Sequence, residues 1–373
     1  MPKTEKVVGL FGVPFDPLPF KEALVIKQMY MQARALGKVA RDNYADPYDI
    51  FSDNLPQAIS GKCHLHGKVS IPTWLQPKPQ PTDASKLTLD SLNRFIKSGG
   101  CLTIADEVHE FIIKNVLPEI PGMIGVDHSS TYGAISALKE YYGEELGLVV
   151  LDSHFDAVPM GLRYGLIEYA KEAKLPSIAP DIFSQGAPPT FSSREIREWA
   201  KLTPENFLLH LLERKLIDPE NLIVVGLADY PGKAFEEIDD PRVKDYLNFF
   251  KSLEKAGTHF ISKSSFDKHG REPLEKALQG LSARRVYISL DIDIGSLSPV
   301  YACRFLNTIG LSFNQIRDVF QSLFSCFFDG LTLAGFDLME VDIHKLGARI
   351  DSSHVDQTSE VGRLFLELVG EVV

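Results

Sequence analysis

The run LGLVVL at Leu146–Leu151 is apolar at every position, and NLIVVG at Asn221–Gly226 is nearly so. A strand with one face in water alternates polar and apolar residues. A strand apolar throughout must be covered on both faces, as in a parallel sheet wrapped by helices. Short apolar runs of this kind recur at Val7–Val13, Gly122–Val126, Gly147–Leu151, Leu222–Gly226, Thr258–Ser262, Arg285–Leu290 and Leu331–Met339. Amphipathic stretches intervene or follow at Tyr132–Tyr142, Pro204–Arg214, Arg242–Lys255, Arg271–Ala283, Asn314–Phe327 and Gln357–Val369. The alternation predicts an α/β fold, a single-domain three-layer αβα arrangement with a mostly parallel sheet. No linker divides the pattern after residue 100, so residues 1–373 are read as one domain with an irregular portion at 1–100. The proline-rich Pro77–Ser85 reads as a surface loop, and Pro176 to about Thr203 as a second irregular region.

The charge balance narrows the function classes. The 39 Lys and Arg against 50 Asp and Glu give a net charge of -11, which argues against nucleic acid or an anionic membrane as partner. Cys63, Cys101, Cys303 and Cys326 are too few and too scattered for a disulfide framework. The longest apolar stretch, near Leu323–Met339, is broken by Asp329, Gly330 and Asp337, so no bilayer span is expected. The N-terminal apolar run ends in Pro14 and Asp16 and reads as a first strand rather than a signal peptide, which places the protein in the cytoplasm.

In open parallel sheets, ligands gather at the carboxyl ends of the strands. Four of the predicted strands run there into acidic and histidine residues: Asp127-His128-Ser129, Asp152-Ser153-His154-Phe155-Asp156, Asp291-Ile292-Asp293, and Glu340 through His344. Burying so many carboxylates together without a cation is costly, because like charges repel and desolvation adds to the penalty. In D-x-H-x-D and D-x-D, alternate residues of an extended segment face the same way, so their side chains converge. With His128 they offer two imidazoles and four carboxylates, too many for one catalytic zinc and suited to two bridged ions. Mostly oxygen donors, some imidazole and no thiolate favour Mn²⁺, two per chain. Such a pair lowers the pKa of a shared water toward neutrality. Each motif alone has a bland reading as a turn or a packed histidine; three together, each at a strand end, do not.

GVDHSS, LDSHFDA and SLDIDIGSLSP resemble the three metal signatures of the ureohydrolase (arginase/agmatinase) family. DLMEV at Asp337–Val341 is similar to the family's fourth block, and the resemblance spans roughly residues 120–345, weakly extending to Val8–Asp16. It implies an arginase-like fold with a metal-binding core over those residues. It also implies one Mn²⁺ held by His128, Asp152, Asp156 and Asp291, and a second by Asp152, His154, Asp291 and Asp293, with Asp152 and Asp291 bridging. Asp293 would orient the nucleophile and carry its proton, and Glu340 would receive the substrate guanidinium. The implied activity is hydrolysis of a guanidino or amidino compound with release of urea, in a homo-oligomer (trimer or hexamer).

Departures from the family pattern concern the substrate side. Ser153 stands for the usual alanine, Val126 for a glycine, and Ser298 for the aspartate before Pro299; YACRFLNTIG replaces a glycine-rich loop. Val158 occupies the position where arginases hold the amino-acid head group with asparagine. Lys201 or a neighbour stands where a loop histidine is expected, and Ala157–Thr203 is longer than the pattern implies. Agmatinase-like or guanidino-acid hydrolysis is therefore the leading reading, with arginase or formimidoylglutamase activity as the alternative. A catalytically degenerate metal- or metabolite-binding relative is the reading from another class. A zinc deacetylase on this scaffold is disfavoured, because no two histidines are adjacent. Cys63-His64-Leu65-His66 reads as a loop, Cys303 as a small buried apolar residue, and Ser129 and Ser130 as helix caps. His344 reads equally as a substrate contact or a surface residue.

Overall fold

All seven predicted strands form, and they lie side by side in one parallel sheet. The computed structural model describes residues 7–38, 44–174, 201–296, 299–328, 330–352 and 354–373. The strands are β1 Val8–Val13, β2 Cys63–Lys68, β3 Ile120–Gly125, β4 Leu146–Leu151, β5 Leu222–Leu227, β6 His259–Ser262, β7 Arg285–Asp291 and β8 Thr332–Met339. Their order across the sheet is β2-β1-β3-β8-β7-β4-β5-β6. The four strands whose ends carry the predicted ligands, β3, β8, β7 and β4, are therefore the central four.

Helices cover both faces. α4 (Leu89–Lys97), α5 (Gly100–Phe111), α6 (Ser130–Tyr142), α7 (Met160–Glu172), α8 (Phe207–Glu213) and α9 (Pro241–Lys255) pack on one, together with α1 (Lys21–Ala35). α2 (Pro47–Asp53), α3 (Gln57–Ser60), α10 (Lys263–His269), α11 (Glu272–Gly280), α12 (Phe313–Phe328) and α13 (Thr358–Val372) pack on the other. The strand residues alternate between these layers: Leu146, Leu148 and Val150 belong to the first core, Val149 and Leu151 to the second. This is why LGLVVL has no polar position. Local signals set the helix ends. Asp240 caps α9 with Pro241 at its first position, and Gly143 closes α6 at a left-handed φ of 60°.

Register brings the site together. Leu151 pairs with Leu290, Asp291 with Met339, and Ile124 with Leu338. Asp152, Asp291 and Glu340 thus emerge at nearly one level along adjacent strand ends, with the Asp127-His128 turn beside them. Two close approaches fix the loop after β7. A Cβ on Gly310 would lie 2.4 Å from the Gly295 carbonyl carbon, and Gly226, at φ 102°, leaves room for Ile294.

Several expectations need correction. The described residues among 1–100 are not irregular: they carry β1, β2 and α1–α4. Cys63-His64-Leu65-His66 is not a loop but most of β2, an edge strand whose mixed pattern follows from its one-sided pairing with β1. His64 and His66 bracket Glu119 at 2.7 and 2.8 Å. Pro77–Ser85 is not simply a surface loop, since Pro77, Lys78 and Pro79 are buried and Pro81–Asp83 forms a 3₁₀ turn. Ser129 precedes α6 without capping it through its side chain; its hydroxyl donates instead to Asp127. Part of the long Ala157–Thr203 segment is α7. The stretch 175–200 and Ser298 lie outside the described residues. No disulfide joins the cysteines, and Cys303 is fully buried. No helix among the described residues is long and apolar enough to cross a membrane.

Candidate metal centre

Five of the six predicted ligands, His128, Asp152, His154, Asp291 and Asp293, gather with Glu340 at the central strand ends. His128, Asp152 and Asp291 offer ligand atoms within 4.8 Å of one another, as do Asp152, His154 and Asp293, and also Asp291, Asp293 and Glu340. Asp152 is common to the first two groups, Asp291 to the first and third, and Asp293 to the second and third. Asp156 stands at the margin, its Oδ2 3.9 Å from His128 Nδ1. All seven residues are buried.

The local backbone aims these side chains. Asp291 caps the turn at Ile292–Ile294 by accepting the Asp293 N–H at 2.9 Å. Asp152 accepts the His154 N–H at 2.6 Å. Glu340 follows β8 in the left-handed region at φ 64°, a strained state for a residue with a Cβ. Its carbonyl accepts the Arg304 N–H at 3.0 Å, and its Oε2 is buried without a hydrogen-bond partner. Arg304 is itself fixed by ion pairs to Asp16 and Asp342, and Asp16 also pairs with Lys27 of α1 at 2.9 Å. Strain at Glu340 is thus held by a buried charge network reaching from the end of β1.

A second set of groups orients His128. The Ser289 hydroxyl donates to Asp337 Oδ1 at 2.8 Å and lies 2.8 Å from His128 Nε2. Asp337 Oδ2 accepts from Thr131 at 2.7 Å and Tyr287 at 2.9 Å. With its proton given to Asp337, Ser289 can only accept from His128, so Nε2 carries the imidazole proton and Nδ1 presents a lone pair. That lone pair faces Asp291 Oδ2 at 3.0 Å without forming a hydrogen bond. Two lone pairs pointed at each other call for a cation between them. Ser153 supports the second imidazole: its hydroxyl donates to Asp293 Oδ1 at 2.9 Å and is within 3.3 Å of His154 Nδ1, while Asn307 donates to it at 3.2 Å.

Electrostatics supply an independent test of whether a cation fits. Burial, followed by mutual repulsion, pushes Asp152, Asp291 and Glu340 well above the usual carboxylate range. Burial raises Asp156 to about 7, against the pull of Arg163. Burial works to lower His154, but Asp293 outweighs it and raises the imidazole to about 10. His154 in turn holds Asp293 below the usual carboxylate range despite burial, so that pair balances itself, while Asp152, Asp291 and Glu340 are left without such a cationic partner. Among the described residues, His128 Nδ1, Asp152 Oδ2 and Glu340 Oε2 are buried without hydrogen-bond partners, and Asp293 Oδ2 faces His154 Nδ1 at 2.8 Å. Orphaned donor atoms of this chemistry fit divalent cations.

The other sequence candidates separate from this centre. Asp127 is held by Ser129, and burial raises its carboxyl to about 7. Asp342 belongs to the Arg304 network, and His344 Nε2 lies 3.0 Å from the Pro77 carbonyl. Val158 is 2% exposed in the apolar core and does not line the cleft, and Lys201 is exposed. The cleft at this centre is lined by His154, Asp156, Asp291 and Glu340 together with Arg163, Pro204, Glu205 and Phe305. Arg163 and Glu205 were not anticipated: one lies in the first turn of α7 and the other in a short 3₁₀ turn, and neither position carries a spacing signal. Asp229 did carry one, since it follows the end of β5 and accepts the Phe155 N–H at 3.0 Å.

Residues 56–345 match the model of the Arginase family. An arginase from Staphylococcus aureus (strain COL) is 24% identical over 182 residues, 48% of this chain and 47% of that protein. The chain thus spans about half the length of the curated relatives it matches. A proclavaminate amidino hydrolase from Streptomyces clavuligerus superposes with a TM-score of 0.55 at 17% identity, covering 100% of this chain and 95% of that one. A formimidoylglutamase from Bacillus subtilis superposes with a TM-score of 0.53 at 14% identity, covering 100% and 89%. At these identities the likeness is one of fold.

Proposed function

Because the chain belongs to the arginase family, we propose that it is a hydrolase cleaving a C–N bond of a linear guanidino or amidino compound, with two Mn²⁺ per chain. The observation that carries this reading is the set of buried donor atoms on His128, Asp152, Asp293 and Glu340, gathered at the ends of four adjacent strands, those on His128, Asp152 and Glu340 having no hydrogen-bond partner among the described residues. His128, Asp152, Asp156 and Asp291 would hold one ion and Asp152, His154, Asp291 and Asp293 the other. The choice of manganese rests on oxygen-rich ligation with imidazole and no thiolate. When bound, the ion pair supplies the Lewis acidity that makes water nucleophilic near neutral pH.

The remaining work falls to side chains. Glu340, aimed into the cleft, accepts the planar N–H fork of the guanidinium and sets its carbon above the Asp291 and Asp293 turn. Asp293 orients the attacking water and takes its proton for delivery to the leaving amine. Phe305 and Pro204 narrow the cleft and exclude bulk water, which strengthens each polar contact inside. We extend the reading to a cytoplasmic homo-oligomer, a trimer or hexamer.

The test is urea or ammonia release by Mn²⁺-loaded protein across agmatine, 4-guanidinobutyrate, 3-guanidinopropionate, arginine, formiminoglutamate and guanidine. Turnover of a guanidino or formimino compound supports the hydrolase. Tight binding of two metals with no turnover of any would favour the degenerate relative instead.

A further inference from the structure

We propose that Arg163 recognises a carboxylate at the far end of the substrate, so that the compound hydrolysed is an amidine or guanidine with an acidic tail rather than an amine tail. This rests on the amidine reading of the site above and names its substrate class. Arg163 is the one permanently cationic side chain among the described residues that line the cleft with Glu340. An anionic Glu340 at one end and a guanidinium at the other match a molecule that is cationic at its reacting end and anionic at its tail.

Arg163 is fixed yet incompletely engaged. Its side chain is 11% exposed, and Nη2 donates to the Phe155 carbonyl at 2.9 Å. Its Nε is buried and has no acceptor among the described residues. Its ion pair among the described residues is to Asp156 Oδ1, at 3.6 Å. In the proposed centre Asp156 is a metal ligand, so its charge is shared with a dication. Asp229 spends one oxygen on the Phe155 N–H. Glu205 also lines the cleft, and no ion pair joins it to Arg163 among the described residues. A guanidinium with a spare buried N–H suits a carboxylate, whose two oxygens accept its parallel donors.

Three probes of equal chain length isolate the tail: 4-guanidinobutyrate (carboxylate), butylguanidine (neutral) and agmatine (ammonium). Binding to Mn²⁺-loaded full-length protein is measured by calorimetry, and urea release gives kcat and KM. Wild type should favour 4-guanidinobutyrate over butylguanidine by about tenfold or more in Kd and in kcat/KM, with agmatine weakest, as one hydrogen bond to a charged group implies. Arg163→Met should remove that preference, and Arg163→Lys should restore part of it, keeping the charge without the fork. Agmatine bound as well as 4-guanidinobutyrate by wild type would overturn the assignment. So would an Arg163→Met protein that loses all three probes equally, since that marks a structural role. Binding of none of the three by wild type overturns the amidine reading and this inference together. Binding of all three without tail preference overturns this inference alone.

Discussion

Replacing Asp337 by Asn exchanges one oxygen for an NH₂ group, yet it is expected to move a proton on His128, two hydrogen bonds away. Asp337 Oδ2 accepts from both Thr131 and Tyr287, whereas Oδ1 accepts from Ser289 alone. The Asn carbonyl therefore takes the Oδ2 position and its NH₂ faces Ser289. Ser289 then accepts from Asn and turns its own hydroxyl toward His128 Nε2, 2.8 Å away. Nε2 becomes the acceptor and the imidazole proton moves to Nδ1, the atom that faces Asp291. The fold keeps its hydrogen bonds, but the ligand atom is blocked.

To bind a cation, the variant must restore the original tautomer and leave one buried donor or acceptor in the relay unpaired. That costs about 1–3 kcal/mol, or roughly five- to 150-fold in affinity, in line with the ten- to hundredfold loss typical of groups that orient a ligand. Mn²⁺ affinity by calorimetry and the imidazole ¹⁵N shifts of His128 are the readouts. Ser289→Ala supplies a control that separates proton position from the loss of the Asp337 charge. Added to Asp337→Asn, it frees His128 from the reversed hydroxyl, so the double variant should bind metal better than the sum of the single losses predicts. Wild-type affinity in Asp337→Asn, or strict additivity in the double variant, would refute the tautomer reasoning.

Asp291→Ala should remove both ions or nearly so, while His154→Ala should chiefly weaken one; elemental analysis of dialysed protein checks this, and a single native zinc would sink the two-ion centre. Glu340→Gln should abolish turnover while metal content stays constant, because shape is kept and the charge facing the guanidinium is lost; full activity would refute its role. The metal-free protein should lose stability as pH rises from about 4 to about 7. Over that range the unfolded chain has already released protons that Asp127 and Asp156, each raised to about 7 by burial, still hold in the fold. Metal binding needs the Asp156 proton gone, so the gain in Tm on adding Mn²⁺ should be small in acid and largest near pH 8; calorimetry with and without chelator would contradict this if the gap stayed constant.

The parts of the molecule legible in the sequence are those where one physical rule leaves a repeated mark. Strands covered on both faces must be apolar throughout, which is why LGLVVL and NLIVVG announced β4 and β5. Carboxylates at strand ends in D-x-H-x-D and D-x-D have few structural reasons to exist without a cation, so the ligand set stood out before its geometry was known. β2 left no such mark. It pairs on one side and exposes Leu65, so Cys63-His64-Leu65-His66 obeys no alternation that a core would impose. α1 escaped notice because it mixes buried Leu24 and Met31 with exposed Val25 and Met29, and its anchor, the buried Lys27–Asp16 pair, is invisible without the fold.

The rest of the cleft lining was illegible for a related reason. Metal ligands must meet one point in space and so constrain each other's spacing, whereas a substrate-tail contact needs only one side chain reaching in from any neighbouring turn. Val158, chosen by its offset from Asp156, proved to be core, while Arg163, five residues further on, lines the cleft because α7 begins at Met160 and its first turn faces Asp156. Within such a fold, specificity can therefore change by single substitutions in the first turn of a helix, and the centre feels them only through Asp156, the ligand that Arg163 pairs with.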